Sequence, residues 1–260
     1  MRFARIQGIF YRYLYILIKG PQQLSDLFYW PLIDILLWGL ASVWIGSQHI
    51  GTEFPLMLMT GLILWQTAWR GSVDVSVSLM QEFWHRNLIN LFSTPLRLSE
   101  WSLGVMLLSL CKLVITVSFG AIAVHLLYSL NVLSIGWHFF PAAALLVVFG
   151  WTLGFISSCF IIYYGHQLES IAWMMGYLFA PFSAVFYPVS ILPLWAQKVA
   201  WALPSTYLFE GMRMLIRGEA FPAHYYWASL GLDALYLTGA IALFHHMFQR
   251  SRVKGLARLE

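Results

Sequence analysis

The sequence predicts an all-α, polytopic membrane protein with six transmembrane helices, and three observations carry that prediction. Of 260 residues, 60% are hydrophobic and 10% charged, whereas a water-soluble domain carries roughly 25% charged residues. The mean hydropathy is +0.71, and the apolar runs approach or exceed the roughly 20 residues a helix needs to cross a bilayer. Thirteen Trp and thirteen Tyr add the amphipathic rings that collect at headgroup level. A transmembrane β-barrel is excluded, because it would be built from alternating segments of about ten residues.

The N-terminal 1–24 reads as an amphipathic interfacial helix. Arg5, Arg12 and Lys19 recur every seven residues, and Ile6, Ile9, Phe10, Tyr13 and Leu17 form an apolar stripe beside them. Such a helix lies along the membrane with its basic face toward anionic headgroups. Arg12 and Lys19 interrupt any signal-peptide core, so cleavage is not expected.

Spans are predicted at 27–47, 55–79, 101–128, 138–163, 169–188 and 226–248. The polar, basic stretch 81–100 separates the second from the third, and its 81–99 portion is predicted as a cytoplasmic helix. Between the fifth and sixth lies 189–225, rich in Pro and aromatics, which reads as outer re-entrant helices; broken backbone at membrane depth requires protein around it. The whole of 1–260 reads as one transmembrane domain.

Charge orients the chain. Arg2, Arg5, Arg12 and Lys19 precede the first span, Arg86 and Arg97 lie in the second connection, and Arg250, Arg252, Lys254 and Arg258 end the chain. The connections at 48–54 and 129–137 lack Lys and Arg. The bias of Lys and Arg toward the cytoplasm then places both termini inside. Lys198, Arg213 and Arg217 fall on the outer side, where burial in the re-entrant segment accommodates them.

Charged residues within spans face protein or water. The predicted boundaries put Asp34, Arg70, Asp74 and Lys112 roughly 7–17 Å from the inner edge. Arg70 and Asp74 are four apart and can pair along one helix. Asp34, Arg70 and Asp74 are therefore expected to form an inter-helix cluster, either a neutralising pair that fixes packing or the polar entrance of a substrate path. Glu210, Arg213 and Arg217 share one helical face in the outer segment, with Asp233 within possible reach of Arg213.

Enzymatic signatures are missing from the sequence. None of the four lysines follows a glycine, so no phosphate-binding P-loop exists, and neither HExxH nor GxSxG occurs. Cys111 and Cys159 read as buried small hydrophobes. No basic patch interleaved with exposed aromatics suggests nucleic acid, and the unequal connections of the two halves argue against an inverted-repeat carrier.

Two passages carry a resemblance. The first is Glu82, then STPL at 93–96, then Glu100. The second is APFSAVFYP at 180–188, ILPLW at 191–195 and LPSTY at 203–207, followed by Glu210 and Arg213. This ordered set resembles the ABC-2 type permeases and spans essentially the whole chain. The chain departs from the family at Arg86-Asn87-Leu88-Ile89-Asn90, where many members carry a Gly-Thr pair.

The resemblance implies the membrane subunit of an ATP-driven exporter in a bacterial inner membrane. Two permease chains, expected as a homodimer, would each dock one separate ATPase subunit, which would bind the ATP and Mg; the chain itself would hold no cofactor and no metal. Trp84, Leu88, Leu91 and Phe92 would be apolar knobs in the ATPase groove, with Glu82, Arg86 and Arg97 as polar rim. Pro188, Pro193, Pro204, Tyr207, Glu210 and Arg213 would shape the outer region. The expected cargo is a hydrophobic or amphipathic small molecule, drug- or lipid-like, with a lipid-linked polysaccharide or glycolipid as the alternative. A stand-alone membrane enzyme or channel is the reading from another class.

Overall fold

The structure, a computed structural model, describes residues 2–47 and 53–253. Most of the 48–54 connection and the basic residues Lys254 and Arg258 lie outside the described residues. The described chain is all-helical, without strands. The helices are α1 (Phe3–Lys19), α2 (Pro21–Ser47), α3 (Phe54–Trp84), α4 (Leu88–Ser93), α5 (Leu98–Tyr128), α6 (Phe139–Tyr164), α7 (Ser170–Phe179), α8 (Leu194–Trp201), α9 (Pro204–Ile216) and α10 (Ala223–Val253). Short 3-10 turns cover Val132–His138, Gly165–Leu168 and Val189–Ile191.

Among the described residues, four helices are long and apolar enough to cross a membrane: α2, α5, α6 with the turn before it, and α10. The predicted spans at 55–79 and 169–188 take different forms. Helix α3 has the length, but its polar residues include Gln66, Arg70, Ser72, Asp74 and Ser76, all buried against protein. A helix surrounded by other helices can carry polar side chains that a lipid-facing helix cannot. Helix α7 has only ten residues, about 15 Å of helix. The chain turns after Phe179, and within that turn Ala184 adopts φ 56°.

Helices α3 and α6 make the most extensive contact in the molecule. Glycines bring their backbones together. A Cβ on Gly71 would stand 2.7 Å from the Val147 carbonyl oxygen, and one on Gly154 would stand 2.7 Å from that of Ser72. Gly150 meets the Ala68 carbonyl and Gly71 in the same way. Without a hydrophobic drive between helices in lipid, such close contact of small residues is the principal source of association. The Ser76 hydroxyl donates to the Gly154 carbonyl at 3.3 Å.

Three further expectations are corrected. The N-terminal helix ends at Lys19; Gly20 breaks it and 21–24 open α2. The 81–99 segment is not one helix. Its first four residues finish α3, α4 has six residues, and Leu98 and Ser99 begin α5. The breaks are Arg86 at φ 46° and Pro95, before which Thr94 is extended. Cys159 is buried, whereas Cys111 lies on an exposed face of α5.

Candidate functional site

A cavity of about 510 Å³ opens between α2, α3, α5 and α7. Helix α2 contributes Asp26, Trp30 and Asp34; α3 contributes Gln66, Trp69, Arg70, Asp74 and Gln81; α5 gives Lys112, and α7 gives Trp173 and Tyr177. Gln66 to Gln81 is about 22 Å along α3, so the cavity follows much of that helix.

All three residues of the expected polar cluster line this cavity, but they do not bond to one another as expected. Asp74 pairs with Lys112 Nζ at 3.0 Å rather than with Arg70. Arg70 instead donates through Nη2 to the backbone carbonyl of Asp26 at 2.6 Å, and Asp34 accepts from Gln66 Nε2 at 2.9 Å. The reason is geometric: α3 is packed so that α5 offers Asp74 a cation and α2 offers Arg70 a carbonyl. Lys112 was identifiable from its depth in the predicted spans, which matches that of Asp74; its direction around α5 was not. Asp74 Oδ2 and Arg70 Nε are buried without a hydrogen-bond partner among the described residues.

The end of α3 is held by a second polar group. Glu82 is 1% exposed. Its carboxylate accepts from Arg12 Nη2 at 2.8 Å, from the Tyr13 hydroxyl at 2.6 Å and from Asn87 Nδ2 at 2.7 Å. Tyr13 in turn accepts from Trp101 Nε1 at 3.0 Å. Burial, and next the Glu82 charge, push the Tyr13 phenol well above its usual range, so it stays a neutral donor. At the start of α5, Glu100 accepts from the backbone amides of Arg2 and Arg97 at 2.9 and 3.0 Å and pairs with Arg5 at 3.4 Å. Arg5 also donates to the Pro95 carbonyl. The two carboxylates therefore clamp α1 to both ends of the connector.

That clamp changes the expected roles of α1 and the connector. The apolar stripe Ile6, Ile9, Tyr13 and Leu17 is buried, with α5 as its main contact. Arg5 and Arg12 face protein carboxylates, not only headgroups. Glu82, Leu88 and Leu91 are buried within the chain, which corrects their expected exposure as rim and knobs. Six residues make too short a helix to show two apolar faces, and this one turns Leu88 and Leu91 inward. Trp84, Arg86 and Arg97 are exposed and Phe92 is half-buried; Trp84 Nε1 donates to Glu169 at 3.0 Å.

At the opposite end, Pro188, Pro193 and Pro204 each stand at a helix start. There a missing N–H costs nothing. Tyr207 donates to the Trp201 carbonyl at 2.9 Å. Arg213 is 5% exposed; it pairs with Glu210 at 3.2 Å and donates to the Ala184 carbonyl at 2.7 Å. Glu210 accepts from the Val189 amide at 2.6 Å. Burial lowers the proton affinity of Arg213, and the Glu210 charge opposes this. The suggested contact with Asp233 is not made: both Asp233 carboxylate oxygens are buried without a hydrogen-bond partner among the described residues.

Among the described residues no group of three or more His, Cys, Asp or Glu could hold a metal ion. No family model matches the chain, and no curated protein matches it.

Proposed function

We propose that this chain is the membrane-spanning permease subunit of an ATP-driven exporter of the ABC-2 type. In this reading it crosses a bacterial inner membrane six times, through α2, α3, α5, α6, α7 with the turn after it, and α10. Both termini and the connector lie in the cytoplasm, and α8 and α9 form the outer re-entrant pair. A second copy and a separate ATPase subunit complete the machine. ATP and Mg are bound by that subunit, whose contact is drawn from the exposed Trp84, Arg86, Phe92 and Arg97.

One observation carries the reading. The cavity reaches Gln81, and the next residue is Glu82, the clamp to α1 and the connector. A push on the connector therefore reaches the cavity wall through one rigid helix. Mixed polar and aromatic walls suit an amphipathic small molecule, with apolar parts on the rings and polar parts on Asp34, Arg70 and Asp74. The alternative cargo, a lipid-linked polysaccharide or glycolipid, is favoured by Trp30, Trp69, Trp173 and Tyr177 in one cavity, since ring faces stack on sugars.

The test is co-purification of the chain with an ATP-binding-cassette subunit, followed by ATPase assays with lipids, glycans and drugs. Stimulation by one class names the cargo. A chain that transports or catalyses while stably free of any ATPase subunit would sink the proposal in favour of a stand-alone enzyme or channel. An Asp34→Asn protein that folds and transports normally would leave the polar cluster a packing role alone.

A further inference from the structure

A second cavity, of about 250 Å³, lies where the start of α5 meets the last turns of α10. Its polar lining includes Arg97, Arg252, His245 and Gln249, and its apolar wall includes Phe92 and Phe248, whose rings meet edge to face at 4.6 Å. No Asp or Glu lines it. Among the described residues, neither arginine has a carboxylate partner. The first-turn carboxylate of α5, Glu100, is occupied by Arg2, Arg5 and the Arg97 amide. Leu98 and Ser99, in the first turn of α5, border the same cavity.

We propose that this cavity binds a phosphate group, as the headgroup of an anionic phospholipid or as free phosphate. Two guanidinium groups present forked donors that match phosphate oxygens. The position agrees with a lipid source, because the cavity lies at the ends of two helices apolar enough to cross a membrane. Phosphate belongs at that level, with the acyl chain running down past Phe92 and Phe248. The site is distinct from the α2–α3–α5–α7 cavity and does not depend on the cargo, but it shares Phe92 and Arg97 with the proposed ATPase contact. A bound phosphate would bridge α5 to α10 beside the connector, so the connector's packing would depend on the surrounding lipid.

The experiment uses the full chain, purified in neutral detergent. Native mass spectrometry measures retention of phosphatidylglycerol against phosphatidylcholine, with inorganic phosphate as competitor. One phosphatidylglycerol should be retained per chain. R97Q/R252Q should lower that retention by roughly tenfold or more, while K198Q at the far end of the molecule should not. Both arginines are exposed, and an unchanged melting temperature of R97Q/R252Q in phosphatidylcholine verifies that the fold survives. Displacement of the lipid by inorganic phosphate would support phosphate chemistry and name the free ion as a competent source; no displacement would support the lipid. Equal retention by R97Q/R252Q and wild type, or an equal loss in K198Q, overturns the proposal. So does a R97Q/R252Q protein that keeps its lipid but loses an ATPase subunit, which would make the pocket a protein contact.

Discussion

The two ends of the bundle hold irregular backbone in place by different means. At the connector end, Glu82 and Glu100 each gather donors from distant parts of the chain, and every arginine involved is partly exposed. At the opposite end, beside α8 and α9, one buried arginine satisfies carbonyls of the 180–187 turn while its neighbour Glu210 caps the Val189 amide. In the first arrangement water reaches the arginines and not the carboxylates, whereas in the second the arginine is buried and Glu210 is partly exposed. The first, with its arginines partly exposed, is more easily remade than the second, whose arginine is buried.

The largest test strikes the middle that both ends share. Gly150→Leu would force a side chain against the Ala68 carbonyl and Gly71. The expected cost exceeds the about 1–3 kcal/mol of ordinary overpacking, with no folded monomer on size exclusion. Survival of a folded monomer would show that the ends do not depend on the α3–α6 contact.

Next comes Arg213→Ala, which takes the buried cation from the partly exposed Glu210 and leaves the Ala184 carbonyl without its donor. A loss of about 3–5 kcal/mol should appear in thermal unfolding. Glu82→Gln keeps a hydrogen-bonding group but removes the charge facing the partly exposed Arg12. Its cost should be smaller, about 1–2 kcal/mol, with faster hydrogen exchange confined to α1 and α4. If Glu82→Gln proves as damaging as Arg213→Ala, the contrast between a remakeable and a fixed end fails. The smallest effect has the opposite sign. Arg86 stands at φ 46° on the surface, so Arg86→Gly should stabilise the turn by about 0.5–1 kcal/mol, read as a small rise in melting temperature.

Legibility from sequence followed chemistry that does not depend on partners. Arg5, Arg12 and Lys19 marked one face of α1, whereas the prolines at 188, 193 and 204 were read only as a motif and turned out to stand at three helix starts. The polar cluster was half legible. Depth along a span can be counted, which put Asp34, Arg70, Asp74 and Lys112 at similar depth, but Lys112 was not expected in the cluster, and pairing depends on rotation about each helix. The α3–α6 seam went unread although Gly150 and Gly154 stand four apart in an apolar run, a recognised close-packing signal.

Composition and run length alone determined that this is an all-helical membrane protein, because a bilayer admits few other ways to satisfy an apolar backbone. Gly20 and Pro95 carry local breaking signals that the predicted 1–24 and 81–99 helices ran through, and the break at Arg86 has none. Tertiary structure alone decided that the polar α3 is surrounded by protein, that Asp74 meets Lys112, and that Glu82 faces inward to Arg12 and Tyr13. Those outcomes join residues as many as 70 positions apart, and they depend on helix rotation and packing distance, which no local sequence pattern specifies.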